Sequence, residues 1–223
     1  MKLGMLAVLF SLSFLGCKPP KYSYYTSPAR DFQCRVPWGW EVMYDKAGKT
    51  FANVTFIGPF EPEFYLGAPS FSVRWYSRFA AHRLRDGSLE MYGGADDFIK
   101  QALGSLYRRD RQMDQAVTER KDIVAGRTVK YFVVESPAPV PHKARWGTAL
   151  DSRTGQPVNP RKHAYVVIPM PSGFYVLAYP ATWQAYDKYK DQFAELARNF
   201  IPLKDGPGGA SMPPPAPVRK PAG

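Results

Sequence analysis

The chain has 223 residues and a formal charge of +11, and 45% of its residues are hydrophobic. This length and apolar content exclude an intrinsically disordered protein and allow one domain with its own core, together with tails. The positive charge favours anionic partners, and an equally simple interpretation is a basic surface that only aids solubility.

The first seventeen residues predict export from the cytoplasm. A positive start at Lys2 precedes an apolar run, Leu3 to Leu15, which is too short to span a bilayer. The run ends in a small residue followed by Cys17, and this resembles a bacterial lipoprotein signal, in which the cysteine is lipidated and becomes the new N-terminus. We therefore expect a signal peptide over residues 1–16 and a lipid on Cys17. A simple secretion signal or a retained helix is the alternative.

A lipid on Cys17 would place the protein in the bacterial cell envelope, where nucleic acid is not an expected partner. Lys18 and Pro19 after the cysteine differ from the aspartate signal that in some bacteria retains lipoproteins at the inner membrane. We therefore expect the outer membrane, facing the periplasm. Cys34 then has no partner for a disulfide, and its alternation with Phe32 and Val36 predicts a buried side chain.

The residues after the signal divide into a tether over 17–29, a folded domain over 30–203 and a disordered tail over 204–223. In the first half of the domain, apolar alternation predicts three strands, and a change to helical spacing then predicts an amphipathic helix. These elements are Asp31–Val36, Phe51–Ile57, Ser70–Tyr76 and a helix around Phe98 to Tyr107.

The second half of the domain contains two hairpins and a final helix. The first hairpin joins Val117–Val124 to Arg127–Ser136, and a polar loop rich in proline and basic residues then extends from Pro137 to Lys162. The second hairpin follows, with strands Ala164–Met170 and Phe174–Tyr179. Thr182 is a suitable N-cap for the last helix.

This order of elements, with hairpin connections, predicts an α+β fold in which helices pack on a mostly antiparallel sheet. A strand that runs into Val36-Pro37-Trp38-Gly39-Trp40, a strand pair around Gly126-Arg127, a hairpin through Gly173 and an aromatic helix ending at Phe200 resemble the PsbP-like family, named for an extrinsic protein of photosystem II. The resemblance covers roughly Phe32 to Pro202. It implies an α/β/α sandwich and a non-catalytic accessory or binding module, in a family that includes small bacterial lipoproteins.

The sequence offers no motif for catalysis, metal binding or a cofactor. His82, His142 and His163 stand far apart without neighbours at metal-ligand spacing, and neither a nucleophile motif nor a phosphate-binding loop is present. The resemblance transfers no metal-ligand or photosystem-binding residue either. An envelope hydrolase or glycan-modifying enzyme is the alternative function, with a site in the 137–163 loop. That alternative requires His142, Asp151 and His163 to converge in one cleft.

The basic loop is the candidate functional surface. Its candidate residues are Lys143, Arg145, Trp146, Arg161 and Lys162. Cations beside an exposed aromatic residue favour docking on anionic lipid, on an acidic glycan or on an acidic envelope protein. The simpler interpretation is that Trp146 folds back onto the core and the charges are solvated. The leading hypothesis is a lipid-anchored envelope protein that acts as a non-catalytic binding or assembly module.

Overall fold

The structure is a computed structural model, and it describes residues 20–46, 51–61, 68–83, 87, 89–105, 116–139, 149–150 and 157–211. The elements in these ranges are, in chain order, β1 (Tyr22–Thr26), β2 (Phe32–Pro37), β3 (Glu41–Lys46), β4 (Phe51–Ile57), β5 (Ser70–Ser77), β6 (His82–Arg83), β7 (Leu89–Glu90), α1 (Ala95–Ser105), β8 (Ala116–Val124), β9 (Arg127–Pro139), β10 (Ala149–Leu150), β11 (Pro157–Pro169), β12 (Gly173–Thr182), α2 (Trp183–Arg198) and β13 (Ile201–Pro202).

A large sheet with the order β3-β4-β5-β12-β11-β9-β8 forms the centre of the domain, and the short β10 pairs with β11. Every pairing between its described strands is antiparallel. The predicted α+β class with a mostly antiparallel sheet is therefore confirmed.

The two helices cover opposite faces of this sheet. On one face, Leu177 and Tyr179 of the central strand β12 pack in the same core as Phe193 of α2. On the other face, Val176 of the same strand packs with Phe98 of α1. The division follows from the alternation of side chains along a strand, and it gives the predicted α/β/α layering.

The capping prediction for the last helix is also confirmed. Thr182 has an extended backbone, and its hydroxyl accepts a hydrogen bond from the Ala185 amide at 3.2 Å. Such a cap satisfies one of the amides that a helix leaves unpaired at its start. It fixes the point at which β12 turns directly into α2.

A second, three-stranded sheet with the order β1-β2-β13 packs on the same side as α2. Its inner face carries Phe32, Cys34 and Val36, all buried as the alternation predicts. Phe32 stacks on Phe200 with ring centroids 5.2 Å apart. Burial raises the pKa of the Cys34 thiol, so this cysteine behaves as a small apolar residue.

Both predicted ends of the folded domain need correction. Tyr22–Thr26, assigned to the tether, form β1, because Tyr25 packs on Phe56 and the strand pairs along its whole length with β2. At the other end, residues 204–211 were assigned to the tail, but Lys204 and Ser211 form a β-bridge. Asp205 holds this turn, since its carboxylate accepts a hydrogen bond from the Ser172 amide at 3.1 Å.

The predicted loop over 137–162 also needs correction at both ends. β9 continues to Pro139 and β11 already begins at Pro157, so only the middle of the segment remains outside the two strands. Prolines disfavour strands because each lacks an amide donor. In the structure Pro137 lies opposite Pro160, so two of the missing donors fall at a single point of the ladder.

Asp31 connects the small sheet to the large one. Its side chain is only 2% exposed, and its Oδ2 accepts a hydrogen bond from the Tyr175 hydroxyl of β12 at 2.9 Å. The Ser27 hydroxyl donates to the other carboxylate oxygen. The Asp31 carbonyl accepts from the Leu203 amide at 2.7 Å and from the Lys204 amide at 3.1 Å. One residue thus joins the start of the domain, its central strand and its end.

Candidate functional site

An open groove separates α2 from strands β8, β9 and β11. Its larger part has a volume of about 480 Å³. A second cavity of about 200 Å³ shares Arg120, Tyr131 and Asp191 with the first, so the two form one continuous depression. We call it the helix groove. Its strand residues all lie on the α2 face of the sheet, as their alternation requires.

Two tyrosines line the larger part of the helix groove. The hydroxyl oxygens of Tyr131 on β9 and Tyr186 on α2 are 3.4 Å apart. Tyr186 is buried, and burial together with the Tyr131 hydroxyl raises its pKa well above the usual range. Tyr186 therefore supplies a neutral hydroxyl group that can donate to a ligand.

The cations in the groove already have partners. Lys162 Nζ lies 2.7 Å from a Glu135 carboxylate oxygen and 5.0 Å from the centre of the Tyr186 ring. The Arg120 guanidinium lies 4.2 Å from the centre of the Tyr131 ring. The Lys162 side chain is 22% exposed, whereas the Arg120 side chain is 59% exposed and also lies 3.7 Å from an Asp122 carboxylate oxygen.

The structure places Arg161 and Lys162 on β11, not in a loop. Successive side chains of a strand point to opposite faces, so Lys162 lies in the helix groove while Arg161 lies on the α1 face. These two predicted site residues therefore cannot contact the same small group. The other candidates, Cys17, Lys143, Arg145 and Trp146, lie outside the described residues.

His163 is the one described member of the alternative enzyme site. It lies on the same strand face as Arg161, away from the helix groove, and its Nδ1 is 3.4 Å from the Tyr165 hydroxyl. Burial, with the nearby Arg161, lowers its pKa to about 4. His142 and Asp151 lie outside the described residues, so the convergence of the three remains a prediction.

His82 lies at a separate position, in the two-stranded β6-β7 sheet. Its Nε2 is 3.3 Å from a Glu90 carboxylate oxygen, and its ring packs against Tyr76 and Tyr92. Burial lowers its pKa although Glu90 acts in the opposite direction. This histidine belongs to the packing of the α1 side.

Sequence reasoning missed the groove itself. Tyr131 on β9 and Tyr186 on α2 both pack in the core between the helix and the sheet, and their hydroxyl groups meet in the groove. A tyrosine on a face predicted to pack brings a hydroxyl that needs a hydrogen-bond partner, and here the two hydroxyls are partners of each other.

Comparison with known proteins gives a similarity in fold. No family model matches the sequence, and no curated protein matches it. Among solved structures, the chain is similar to the solution structure of cyanobacterial PsbP (CyanoP) from Synechocystis sp. PCC 6803, with 17% sequence identity and a TM-score of 0.47. The match covers 84% of this chain and 95% of the other. It agrees with the PsbP-like fold that the sequence predicts and concerns the fold alone.

The described residues contain neither a candidate membrane-spanning helix nor a candidate metal-binding cluster. None of the helices in this part of the chain is long and apolar enough to cross a membrane. Within the same ranges, His, Cys, Asp and Glu side chains do not form a group of three that could hold a metal ion.

The depressed pKa of His163 predicts a pH dependence of stability. The unfolded chain takes up a proton at this residue below a pH of 6.5, whereas the folded protein does so only near pH 4. Stability is therefore lost as pH falls from 6.5 to 4, by at most about 1.4 kcal/mol per pH unit. Chemical denaturation of wild type and His163→Gln across this range measures it. The variant should show a flatter dependence, and parallel curves would contradict the assignment.

Proposed function

We propose that this chain is a lipid-anchored protein of the bacterial cell envelope that works as a non-catalytic binding or assembly module. It docks an anionic component of the envelope through the basic loop and the adjoining helix groove. The component is an anionic lipid, an acidic glycan or an acidic protein surface, which share the negative groups that the loop would recognise.

The observation that carries the docking proposal is the position of Lys162. The strands that lead into and out of the basic loop are β9 and β11, and they contribute Glu135 and Lys162 to one end of the helix groove. Lys143, Arg145 and Trp146 follow within the connection between these strands. We infer that an anion held by the loop extends to this end of the groove and contacts Lys162 there.

The export signal supports the anchor, and the net charge supports an anionic partner. Removal of residues 1–16 takes away a single cation, Lys2, so the mature part retains nearly the whole positive charge. A basic protein held at a membrane meets a high local concentration of anionic head groups, and its attraction to them adds to the anchor.

The anchor is tested by comparing cells that carry the native gene with cells that carry Cys17→Ala. The native protein should be recovered with membranes, and mass spectrometry of its N-terminal peptide should show acyl groups on Cys17. The variant should lose both the modification and the membrane recovery. A native product that is soluble and unmodified would overturn the anchor.

The docking proposal is tested with Lys143→Gln combined with Arg145→Gln. The matched control removes the same charge from two exposed cations elsewhere, Lys100 on α1 and Lys121 on β8, both replaced by Gln. Binding of detergent-solubilised full-length protein is measured to a uronic-acid polysaccharide and to a short-chain phosphatidylglycerol.

The loop variant should lose about tenfold or more in affinity for at least one of these probes, since each cation near an anionic surface contributes about 1 kcal/mol. The control variant should lose much less, and added salt should weaken the remaining binding. Equal losses in both variants would mean attraction to overall charge, and they would contradict a docking role for the loop.

A further inference from the structure

The outer face of the small sheet carries exposed aromatic side chains next to basic ones. Tyr22 and Tyr24 of β1 point outward on the same side as Arg35 of β2, which lies opposite Tyr24 in the register. Tyr24 is 83% exposed, and Trp38, in the turn after β2, is 53% exposed. With Lys21 these residues form what we call the anchor patch.

The cations of the anchor patch are held against its rings. The Arg35 guanidinium lies 5.4 Å from the ring centres of both Tyr22 and Tyr24, and Lys21 Nζ lies 5.4 Å from the ring centre of Tyr22. Arg35 is also fixed by Glu195 of α2, at 2.9 Å. These contacts link Lys21, Tyr22, Tyr24 and Arg35 into one cluster.

The anchor patch lies close to Cys17 in the chain. The Trp38 amide donates a hydrogen bond to the Lys21 carbonyl at 3.1 Å, so this turn lies beside the first described residues. Cys17 is four residues before Lys21. A chain extends by at most about 3.6 Å per residue, so the Cys17 Cα lies within about 14 Å of the Lys21 Cα.

We propose that the anchor patch rests on the bilayer leaflet that holds the lipid of Cys17, an inference that rests on the proposed lipid anchor. A short connection keeps the patch next to the membrane surface. Tryptophan and tyrosine bury their ring bodies at the head-group level while their polar atoms stay hydrated, and adjacent cations meet anionic head groups. The patch then fixes the orientation of the domain, with the small sheet towards the membrane.

Fluorescence quenching in reconstituted vesicles tests this orientation. Full-length acylated protein carries an NBD fluorophore on Tyr24→Cys, in vesicles of phosphatidylethanolamine and phosphatidylglycerol. The control label is on Leu89→Cys, which is 65% exposed in β7 on the α1 side of the large sheet. Cys34 is buried and does not react in the folded protein.

Doxyl groups on the lipids should quench the label at position 24 severalfold more than the label at position 89, and aqueous iodide should show the reverse order. Trp38→Ser should weaken the lipid quenching at position 24. Trp183→Ser, which removes an equally exposed tryptophan (52%) from the start of α2, should leave it unchanged.

Mass spectrometry of Cys17 distinguishes failure of the lipid anchor from failure of the anchor patch. Acylated protein in which the lipid quencher does not reach position 24 overturns the anchor patch and leaves the proposed function standing. Protection of position 24 from iodide without lipid quenching means that a second copy covers the patch, which also overturns it. Absence of acyl groups from Cys17 overturns the anchor and, with it, the orientation.

Discussion

The buried carboxylate of Asp31 is the constraint on which the arrangement of the two sheets depends. A carboxylate removed from water is costly unless hydrogen bonds replace its hydration, and here the hydroxyls of Ser27 and Tyr175 do so. Burial, with Asp31 beside it, raises the pKa of Tyr175 far above its usual range, so this hydroxyl keeps its proton and remains a donor. The strands nearest the N-terminus are thereby attached to the most buried strand of the domain.

This attachment gives the two surfaces of interest a fixed geometry. Arg35 belongs to the small sheet, and its partner Glu195 belongs to α2, the same helix that forms one wall of the helix groove. A 16-residue helix is about 24 Å long, so one rigid rod connects the anchor patch to the groove. In the proposed orientation, a protein held at the membrane by its first strands would present the helix groove at a defined angle to the surface.

The sequence predicts those features that local pattern determines. The alternation at Phe32–Val36, the cap at Thr182 and the hairpin through Gly173 were all recognisable, because each depends on neighbours in the chain. β1 was not predicted because its burial depends on Phe56 and on pairing with β2, and not on its own sequence pattern. The helix groove was not predicted because Tyr131 and Tyr186 meet only when the helix packs on the sheet. The opposite directions of Arg161 and Lys162 became evident once both were known to lie in a strand.

Hydrogen exchange of the β1 and β2 amides tests most directly whether the N-terminal strands are part of the rigid domain. In the full-length protein these amides should exchange about as slowly as those of β12, because opening them requires breaking the buried contacts of Asp31. In Tyr175→Phe, which leaves the carboxylate short of one donor, protection of β1 and β2 should fall by about 1–3 kcal/mol. Rapid exchange of β1 and β2 in the wild type, beside a protected β12, would contradict the account.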